Sequence, residues 1–454
     1  MDLNNIQNVY FIGIGGIGMS AIARFFNEKG VQVSGYDRTS TALTRQLEAE
    51  GMKIHYTDDI GAADKQANLV VYTPAIPAAH NELQWFRNNG YEVVKRSDVL
   101  QEITRALFAI TVAGTHGKTT VSTMIAHLLT DSGYGCNAFL GGISVNYNKN
   151  FWSSNKAVAV IEADEYDRSF LKLNPDIAVL TAMDADHLDI YGTPAAMEDA
   201  FIEYTHNIKP NGTLLARFGL HRNNELNAAN KLLYSLQNDA ANAYAANIRM
   251  INGGYEFDVL QQDWMIDNVS LHIGGMHNVE NAVAAITVAQ LLGISADKIK
   301  TAMAGFKGIK RRFEYVVKNE RQVYIDNYAH PPEELRALIN SAKALFPGKK
   351  CTVIFQPHLF TRTRDLAAGF ADSLSLADEV ILLPIYPARE LPIAGVSSGM
   401  IADKIKVPVK ILSKEAVMEY LGEHDTPLLI TAGAGDIDQL KEPVAQLLKN
   451  KNYK

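Results

Sequence analysis

Two glycine-rich loops constrain most strongly what this chain can fold into. Each loop stands between an apolar, β-branched run and a segment with helical periodicity, at residues 13–18 and 114–120. A glycine loop that joins a buried strand to a helix is typical of α/β nucleotide-binding domains, because its amides and the helix N-terminus stabilise phosphate groups. Two such loops about 100 residues apart predict two separate nucleotide-binding domains.

Short apolar runs alternate with helical segments along the remainder of the chain. Such runs recur between Leu69–Tyr72 and Pro427–Thr431, and strands that alternate with helices favour mostly parallel sheets. The chain has 454 residues, which at about 150 residues per domain corresponds to about three domains. Residues 96–105 and 305–312 are the expected borders. Residues 218–263 have weak periodicity, and we interpret them as an insertion on the second domain.

Charge, cysteine content and hydropathy exclude several classes of protein. The chain has 43 basic and 50 acidic residues and a formal net charge of −7, whereas a nucleic-acid-binding surface would leave a basic excess. Two cysteines are too few for a disulfide framework, so a reducing, cytoplasmic compartment is the simplest inference. Because no apolar run reaches the length of about 18 residues that a spanning helix requires, we expect no membrane segment.

The first loop reads GIGGIG, and Asp37 stands at the end of the next strand-like run. This placement predicts a bound nucleotide diphosphate, because such glycines let a pyrophosphate approach the backbone. A tight turn without a ligand is the alternative, and the strand before the loop and the helix after it disfavour it. The motif does not identify the nucleotide. Taken alone, it would favour NAD and an oxidoreductase.

The second loop, residues 111–120, reads TVAGTHGKTT and ends as a phosphate-binding P-loop does. Its amides can cradle phosphates, while Lys118 can reach the β- and γ-phosphates and Thr119 can hold Mg²⁺. Val112 stands where the strict pattern has glycine, so the loop is a variant. The strand, the glycines, the lysine and the helix together favour ATP binding over a chance occurrence. A switch protein that uses ATP as an allosteric ligand is the alternative to an enzyme.

Polar residues follow two further strand-like runs. Residues 162–165 read EADE, and residues 184–187 read DADH. Since the carboxyl ends of parallel strands meet at one crevice, these side chains are expected to converge with Thr119 into a metal site beside the phosphates. A carboxylate suits Mg²⁺, whereas histidine is less usual. From the residues alone, His187 is equally well explained as a ligand and as a hydrogen-bonded loop histidine.

The last third of the chain carries two more polar strand ends. Residues 324–331 read YIDNYAHP, and residues 355–365 read FQPHLFTRTRD. His358, Arg362 and Arg364 can bind a carboxylate or a phosphate, because arginine offers a fixed fork of donors. A surface salt bridge is the alternative for a single arginine. That alternative weakens where several basic groups gather at one strand end.

Ten ordered segments, spread along nearly the whole chain, resemble the Mur ligase family, the ATP-dependent amide-forming enzymes of peptidoglycan precursor synthesis. The segments are GIGGIGMSAIA from Gly13, AGTHGKTT from Ala113, FLGGIS from Phe139, EADEYDRSFL from Glu162, DADHLDIYGT from Asp184, HNVENA from His277, GIKRRFE from Gly308, FQPHLFTRTRD from Phe355, IYPARELPI from Ile385 and TAGAGDID from Thr431. Within the family, GIGGIGMS favours enzymes that add L-alanine over relatives that attach a recycled murein tripeptide.

This resemblance implies an α/β fold of three domains. A Rossmann-like N-terminal domain, residues 1–104, would bind UDP-N-acetylmuramate in place of NAD. A central P-loop ATPase-type domain, residues 105–308, would bind ATP. A Rossmann-like C-terminal domain, residues 309–454, would bind L-alanine. The expected assembly is a monomer or a weak homodimer.

The resemblance also assigns residues to each ligand. UDP-sugar binding is implied for Gly13, Gly15, Gly16, Ile17, Gly18, Asp37 and Thr73. ATP binding is implied for Gly114, Thr115, His116, Gly117, Lys118, Thr119, Thr120, His277, Asn278, Asn281, Arg312 and Asp326. Amino-acid binding is implied for Tyr328, His330, His358 and Arg362, and magnesium binding for Thr119, Glu162 and His187.

The implied reaction proceeds through an acyl phosphate. ATP would phosphorylate the lactyl carboxylate of UDP-N-acetylmuramate, the alanine amine would attack, and phosphate would leave. The implied catalytic residues are Lys118, His187, His330 and Arg362, with His330 as the candidate base.

Three positions depart from the family pattern. The usual DDYAHHP reads DNYAHPP from Asp326, so that Asn327 replaces an acid and Pro331 replaces a histidine. Leu359 stands where the family often has arginine. The remaining residues of the motif are present, so we expect the activity to be kept and the choice of amino acid to be relaxed.

Overall fold

The structure, a computed structural model, describes residue 3, residues 5–388 and residues 390–451. Its contacts divide the chain into two compact units. The first unit contains the described residues up to 246 together with 258–269 and 280–306. The second contains 247–257, 270–279 and the described residues from 307 onward.

The first sheet is wholly parallel. Its strands and the associated helices are β1 Asn8–Ile12, α1 Ile17–Glu28, β2 Gln32–Tyr36, α2 Ala42–Ala49, β3 Lys53–His55, β4 Leu69–Tyr72, α3 Asn81–Asn88, β5 Val93–Lys95 and α4 Arg96–Ala106. The strand order is β3-β2-β1-β4-β5, with β1 paired to both β2 and β4. The order therefore reverses at β1, and a crevice opens at its carboxyl end, where the first glycine loop begins.

The second sheet has ten strands. Its elements are β6 Phe108–Ala113, α5 Lys118–Asp131, β7 Asn137–Phe139, β8 Phe151–Trp152, β9 Val158–Glu162, β10 Ile177–Leu180, α6 Leu188–Tyr191, α7 Pro194–Thr205, β11 Thr213–Arg217, β12 Asn230–Ser235, β13 Ala243–Ile251, β14 Gly254–Gln261, β15 Trp264–Leu271, α8 Met276–Leu291 and α9 Ala296–Gly305. The strand order is β15-β14-β13-β12-β11-β10-β6-β9-β7-β8. Strand β6 lies between β9 and β10 and is parallel to both.

The third sheet has six strands. Its elements are β16 Glu314–Lys318, β17 Val323–Asn327, α10 Pro332–Leu345, β18 Cys351–Phe355, α11 Phe360–Leu374, β19 Glu379–Leu382, α12 Gly399–Ala402, β20 Val409–Ile411, α13 Lys414–Glu423, β21 Leu428–Ala432 and α14 Lys441–Asn450. The strand order is β16-β17-β21-β18-β19-β20. Only β16 is antiparallel to its neighbour; the other pairs are parallel.

Three mainly parallel sheets confirm the α/β fold expected from the alternating apolar runs. Residues 218–263, interpreted as an insertion, contain β12, β13 and β14, which extend the second sheet. The sequence hides the end of β13 because its last residues are mostly exposed on both faces, so that no regular alternation appears there. Both cysteines are buried free thiols. In the part of the chain that the structure describes, none of the helices combines the length and the apolar character that crossing a bilayer would need.

Candidate active site

The first glycine loop is anchored to the end of β2. Gly13 N donates to Tyr36 O over 2.8 Å, and Gly15 N donates to Asp37 Oδ2 over 2.7 Å. A Cβ atom added to Gly13 would lie 2.9 Å from Thr73 Cγ2. The structure therefore gathers Gly13, Gly15, Asp37 and Thr73, as expected for a single binding crevice.

A cavity of about 130 Å³ opens beside this loop. It is lined by Ile17, Gly18, Ala21, Arg96, Leu100, Phe139, Leu140, Gly141, Ile161, Glu162 and Asp164. Arg96 Nη2 donates to Asp164 Oδ2 over 3.1 Å, and a Cβ atom on Gly18 would lie 2.2 Å from Arg96 Nη1. The sequence indicates Arg96 only as part of an expected domain border. The one available signal was a cation at the start of a helix, where cations are unfavourable.

The second glycine loop has the geometry of a phosphate cradle. It joins β6 to α5, and Gly117 adopts φ +83° immediately before the helix. Gly114 adopts φ +131°, and a Cβ atom there would lie 2.2 Å from Thr181 Oγ1. No side chain fits at Gly114, so the backbone stays open at the N-terminus of α5, where amides stabilise anions. These residues fit the phosphates of a nucleotide.

Lys118 is held beside the loop by a buried acid. Its Nζ donates to Gly114 O over 2.6 Å and to Glu165 Oε1 over 2.7 Å. Burial raises the pKa of Glu165, and the charge of Lys118 opposes that rise. Glu165 was absent from the predicted site residues, although it is the last acid of the EADE run. Its proximity to Lys118 became visible only in the folded chain.

Thr119 and Glu162 meet as the strand order requires. Strands β9 and β6 are adjacent and parallel, and Thr119 Oγ1 donates to Glu162 Oε1 over 2.9 Å. The other carboxylate oxygen, Oε2, accepts a hydrogen bond from Gly141 N over 2.8 Å. A hydroxyl and a carboxylate are the oxygen donors that Mg²⁺ prefers, so this pair fits the ion.

His187 lies in a different group of ligand atoms. Its Nε2 is 3.7 Å from Glu165 Oε1 and 3.8 Å from Asp186 Oδ2. One donor atom from each of these three residues lies within 4.8 Å of the others, a spacing that can hold a metal ion. The predicted magnesium positions are therefore divided, with Thr119 beside Glu162 and His187 beside Glu165.

Other predicted ATP positions in the first unit lie around the loop. Asp184 N donates to Thr115 Oγ1 over 3.2 Å, and His116 O accepts a hydrogen bond from the Thr181 hydroxyl. Thr120 is buried in α5. Asn281 Oδ1 lies 3.0 Å from the position that a Gly117 Cβ would take, so this residue of α8 adjoins the loop.

The remaining predicted ATP positions belong to the second unit. His277 and Asn278 lie in the first turn of α8, and Asn278 Nδ2 donates to Gly274 O over 2.6 Å. Asp326, near the end of β17, and Arg312, in the chain segment that connects α9 to β16, complete the set. Their roles toward ATP stay predictions.

Asp326 is buried with its own partners. Thr431 Oγ1 donates to Asp326 Oδ1 over 2.7 Å, and Arg311 Nε lies 3.6 Å from Oδ2. Burial raises the pKa of Asp326, with Thr431 and Arg311 acting in the opposite direction. Arg311 thus faces the acid, while the neighbouring Arg312 is exposed. Of this pair, the sequence predicts a role only for Arg312.

The four predicted amino-acid positions form one cluster. The rings of Tyr328 and His330 are 5.3 Å apart, and those of His330 and His358 are 6.3 Å apart. The pKa values of His330 and His358 are lowered mainly by burial and further by the charge of Arg362. Tyr386, which sequence reasoning did not single out, stacks on His358 with ring centroids 5.8 Å apart and an interplanar angle of 16°.

The three departures from the family pattern have clear local structures. Asn327 Oδ1 accepts a hydrogen bond from Ala329 N over 2.8 Å. An aspartate side chain would form the same kind of turn, so the amide keeps this local structure. Pro331 is the N-cap of α10, and Pro332 is the first residue of the helix. The first helical position suits the fixed φ of proline. Leu359 adopts φ +69°, and its N–H donates to Tyr386 O over 2.9 Å. Its backbone is therefore strained at the edge of the cluster.

Comparison with known proteins defines the class. Three family models match the chain in succession: Mur ligase family, catalytic domain, at residues 8–107; Mur ligase middle domain at 112–289; and Mur ligase, glutamate ligase domain, at 311–435. The chain belongs to the Mur ligase family.

Individual relatives sharpen the comparison. UDP-N-acetylmuramate–L-alanine ligase of Cytophaga hutchinsonii is 47% identical over 99% of both chains. The crystal structure of UDP-N-acetylmuramate–alanine ligase from Thermotoga maritima matches with a TM-score of 0.83 and 26% identity, over 99% of this chain and 100% of that one. The crystal structure of a murein peptide ligase from Psychrobacter arcticus matches with a TM-score of 0.68 and 21% identity, over 99% of this chain and 100% of that one. This match shows a common fold.

Proposed function

We propose that this chain is an ATP-dependent ligase that joins L-alanine to the lactyl carboxylate of UDP-N-acetylmuramate in peptidoglycan precursor synthesis. One observation carries the proposal beyond family membership. A single cavity is lined both by Gly18 of the first loop and by Glu162, the hydrogen-bond partner of Thr119 in the second. A substrate held by its diphosphate at the first loop can therefore extend a carboxylate toward the phosphate cradle.

The two loops and the third sheet divide the substrates among them. In this proposal residues 1–104 bind UDP-N-acetylmuramate, residues 105–308 bind ATP and residues 309–454 bind L-alanine. Arg96 lies at the cavity with its charge shared by Asp164. It is well suited to attract an anionic substrate, because a guanidinium binds carboxylates and phosphates through several donors.

Activation of the carboxylate falls to the second loop. Transfer of the γ-phosphoryl group to the lactyl carboxylate forms an acyl phosphate and leaves ADP. Lys118, which lies beside Gly114, can stabilise the negative charge on the transferring phosphoryl group, and the loop amides can bind the remaining phosphates. Thr119 and Glu162, with Glu165 and His187, are the side chains that would hold magnesium. When bound, Mg²⁺ supplies charge neutralisation on the phosphoryl oxygens.

The amine of L-alanine then attacks the acyl carbon, and inorganic phosphate leaves as the amide bond forms. The amine must lose a proton in this step. His330 can accept it, because burial lowers the pKa of this histidine and so favours its neutral form. Arg362 on α11 can bind the alanine carboxylate. Tyr328, half exposed next to His330, would contact the small side chain.

Two other functions make different predictions. A relative that attaches a recycled murein tripeptide would accept the peptide in place of alanine. The NAD-dependent oxidoreductase favoured by the first loop alone leaves the phosphate cradle without a role. The P-loop switch leaves the cavity beside Arg96 without a role. We place the ligase reaction in the cytoplasm, in a monomer or a weak homodimer.

Phosphate release from ATP tests the proposal. We expect rapid release only with UDP-N-acetylmuramate and L-alanine together, and formation of their amide by mass spectrometry. Replacing alanine with the tripeptide tests the first alternative, and glycine and serine test whether Asn327, Pro331 and Leu359 relax amino-acid choice. ATP hydrolysis that is indifferent to both substrates, or stoichiometric NAD binding without UDP-sugar binding, would contradict the proposal.

A further inference from the structure

Three side chains able to bind a metal meet in the first sheet region, and none belongs to the residues proposed for the ligase reaction. Asp58 lies in the connection after β3, while His80 and Glu82 lie at the start of α3. One ligand atom from each lies within 4.8 Å of the other two. We call these three residues the His80 cluster.

Asp58 is held in place by the N-terminus of α3. Its Oδ1 accepts a hydrogen bond from Glu82 N over 3.1 Å, and its Oδ2 accepts one from Asn81 N over 3.0 Å. These bonds fix the orientation of the carboxylate. Because each carboxylate oxygen has two acceptor positions, Oδ1 keeps one for a further partner.

His80 supplies a second, independent indication of a ligand. Only 8% of the residue is exposed, and within the described residues neither ring nitrogen has a hydrogen-bond partner. Buried polar groups in folded proteins are nearly always satisfied. Tyr36 packs against the ring with centroids 4.7 Å apart, which restricts the imidazole to its place beside Asp58.

The separation of His80 from Asp58 fits a shared ion better than a direct bond. Nδ1 and Asp58 Oδ1 are 3.4 Å apart, whereas an N–H···O hydrogen bond measures about 2.7–3.2 Å. Two ligands bound at about 2.0–2.1 Å to a tetrahedral zinc ion are about 3.4 Å from each other.

Glu82 adds a buried carboxylate, and the basic side chain beside it is His55, which is charged only when it is protonated. Glu82 is fully buried; Tyr10 OH donates to Oε2, and Asp59 N donates to Oε1 over 3.0 Å. Among the described residues, no lysine or arginine forms an ion pair with Glu82 or Asp58.

We propose that Asp58, His80 and Glu82 bind one divalent transition-metal ion, with Zn²⁺ as the ion that fits best. One imidazole and two carboxylates form a ligand set that zinc accepts, with a fourth position for water. His55, whose Nε2 lies 2.7 Å from Tyr10 OH and 3.6 Å from Glu82 Oε1, orients the cluster from outside. The bound ion clamps the connection after β3 to the start of α3.

Zinc binding by the full-length chain tests this site. After the protein is stripped with a chelator, Zn²⁺ is titrated in a calorimeter, and retained metal is counted by mass spectrometry. The matched variants are His80→Asn and His187→Asn, since the second removes a ligand from the metal-capable group at the phosphate loop. We expect His187→Asn to bind zinc with the affinity of the wild type. We expect His80→Asn to bind zinc at least about tenfold more weakly than the wild type does.

A second variant, Asp58→Asn, distinguishes loss of the zinc site from misfolding of His80→Asn. Asp58→Asn retains an acceptor for α3 but loses the negative charge, and it should also weaken zinc binding while its circular dichroism stays native. Zinc should raise the melting temperature of the wild type and of His187→Asn, and leave that of Asp58→Asn unchanged. Zinc affinity in His80→Asn or in Asp58→Asn equal to that of the wild type overturns the proposal, as does loss of all zinc in His187→Asn.

Discussion

The ammonium of Lys118 lies 2.7 Å from the carboxylate of Glu165, and the same ammonium donates to Gly114 O. Glu165 follows β9 and Lys118 opens α5, so the pair connects the segment after β9 to the helix that follows the phosphate loop. Because Glu165 is only 1% exposed, the ion pair both holds the lysine at the phosphate loop and neutralises a buried acid.

Substitution of Lys118 should affect stability as well as catalysis. Lys118→Met leaves Glu165 buried and unpaired, which we expect to lower the free energy of unfolding by about 3 kcal/mol. The double variant Lys118→Met/Glu165→Gln should recover part of this loss, because no charge remains to be compensated. Urea denaturation measures both values.

The same substitution separates the two nucleotide sites. Lys118→Met should abolish product formation while leaving UDP-sugar affinity nearly intact, as isothermal titration would show. Lys156→Met, at an exposed position, is the control and should retain activity. An equal loss of UDP-sugar affinity and of product formation would show that the two loops form one site.

Gly114 should tolerate no side chain, for a reason specific to its surroundings. Gly114→Ala brings a Cβ atom within 2.2 Å of Thr181 Oγ1 and 2.7 Å of Ala182 N, so the loop must move. Since a shift of about 1 Å at a reacting group can cost about 100-fold in rate, we expect a loss of that order in kcat/KM for ATP.

Gly133→Ala provides the matched control. Gly133 also has a positive φ, +78°, but no atom would lie within 4 Å of its Cβ. Its alanine variant should lose only about 1 kcal/mol of stability, from backbone strain, and keep its KM for ATP. Similar ATP kinetics in the two variants would contradict the phosphate-cradle geometry.

The pH dependence of alanine transfer should report His330. Burial lowers the pKa of His330 below the ordinary value of about 6.5. The base is therefore mostly neutral at pH 7, and the acid limb of kcat/KM for L-alanine should have its midpoint below the ordinary histidine value of about 6.5, as His330 is protonated. His330→Asn should lose most of the activity together with this acid limb.

A surface histidine serves as the control for that profile. His221, with a side chain that is 77% exposed, can be changed to asparagine without altering the acid limb. An unchanged acid limb in His330→Asn would exclude this residue as the base.

Adjacent arginines should have separable effects. Arg311→Met removes the cation nearest the buried Asp326 and should lower stability by about 3 kcal/mol. Arg312→Met changes an exposed side chain and should alter stability by less than about 0.5 kcal/mol, while raising the KM for ATP. Denaturant titration and ATP kinetics on both variants test this division. Equal destabilisation by the two changes would show that Arg311 has no special role toward Asp326.

Much of the architecture could be predicted from the sequence because it depends on local patterns. Apolar runs that alternate with helical segments specify parallel sheets, and each glycine loop specifies a strand-to-helix turn. The meeting of Thr119 with Glu162 followed from the rule that neighbouring parallel strands end at the same edge. By contrast, the exposed end of β13 removed the alternation on which strand prediction depends.

The sequence alone determined the fold class, the two glycine loops and the family, since these rest on residue type and on spacing along the chain. Only the tertiary structure decided that Glu165 is the acid beside Lys118 and that Arg311 is the arginine beside Asp326. In both cases residues of similar charge stand close together in the sequence, so residue type alone does not show which of them forms the ion pair. The direction of the backbone at that point of the fold decides which side chain reaches the partner. The His80 cluster has no sequence motif, because hydrogen bonds from the start of α3 to Asp58, in the connection after β3, bring its ligands together.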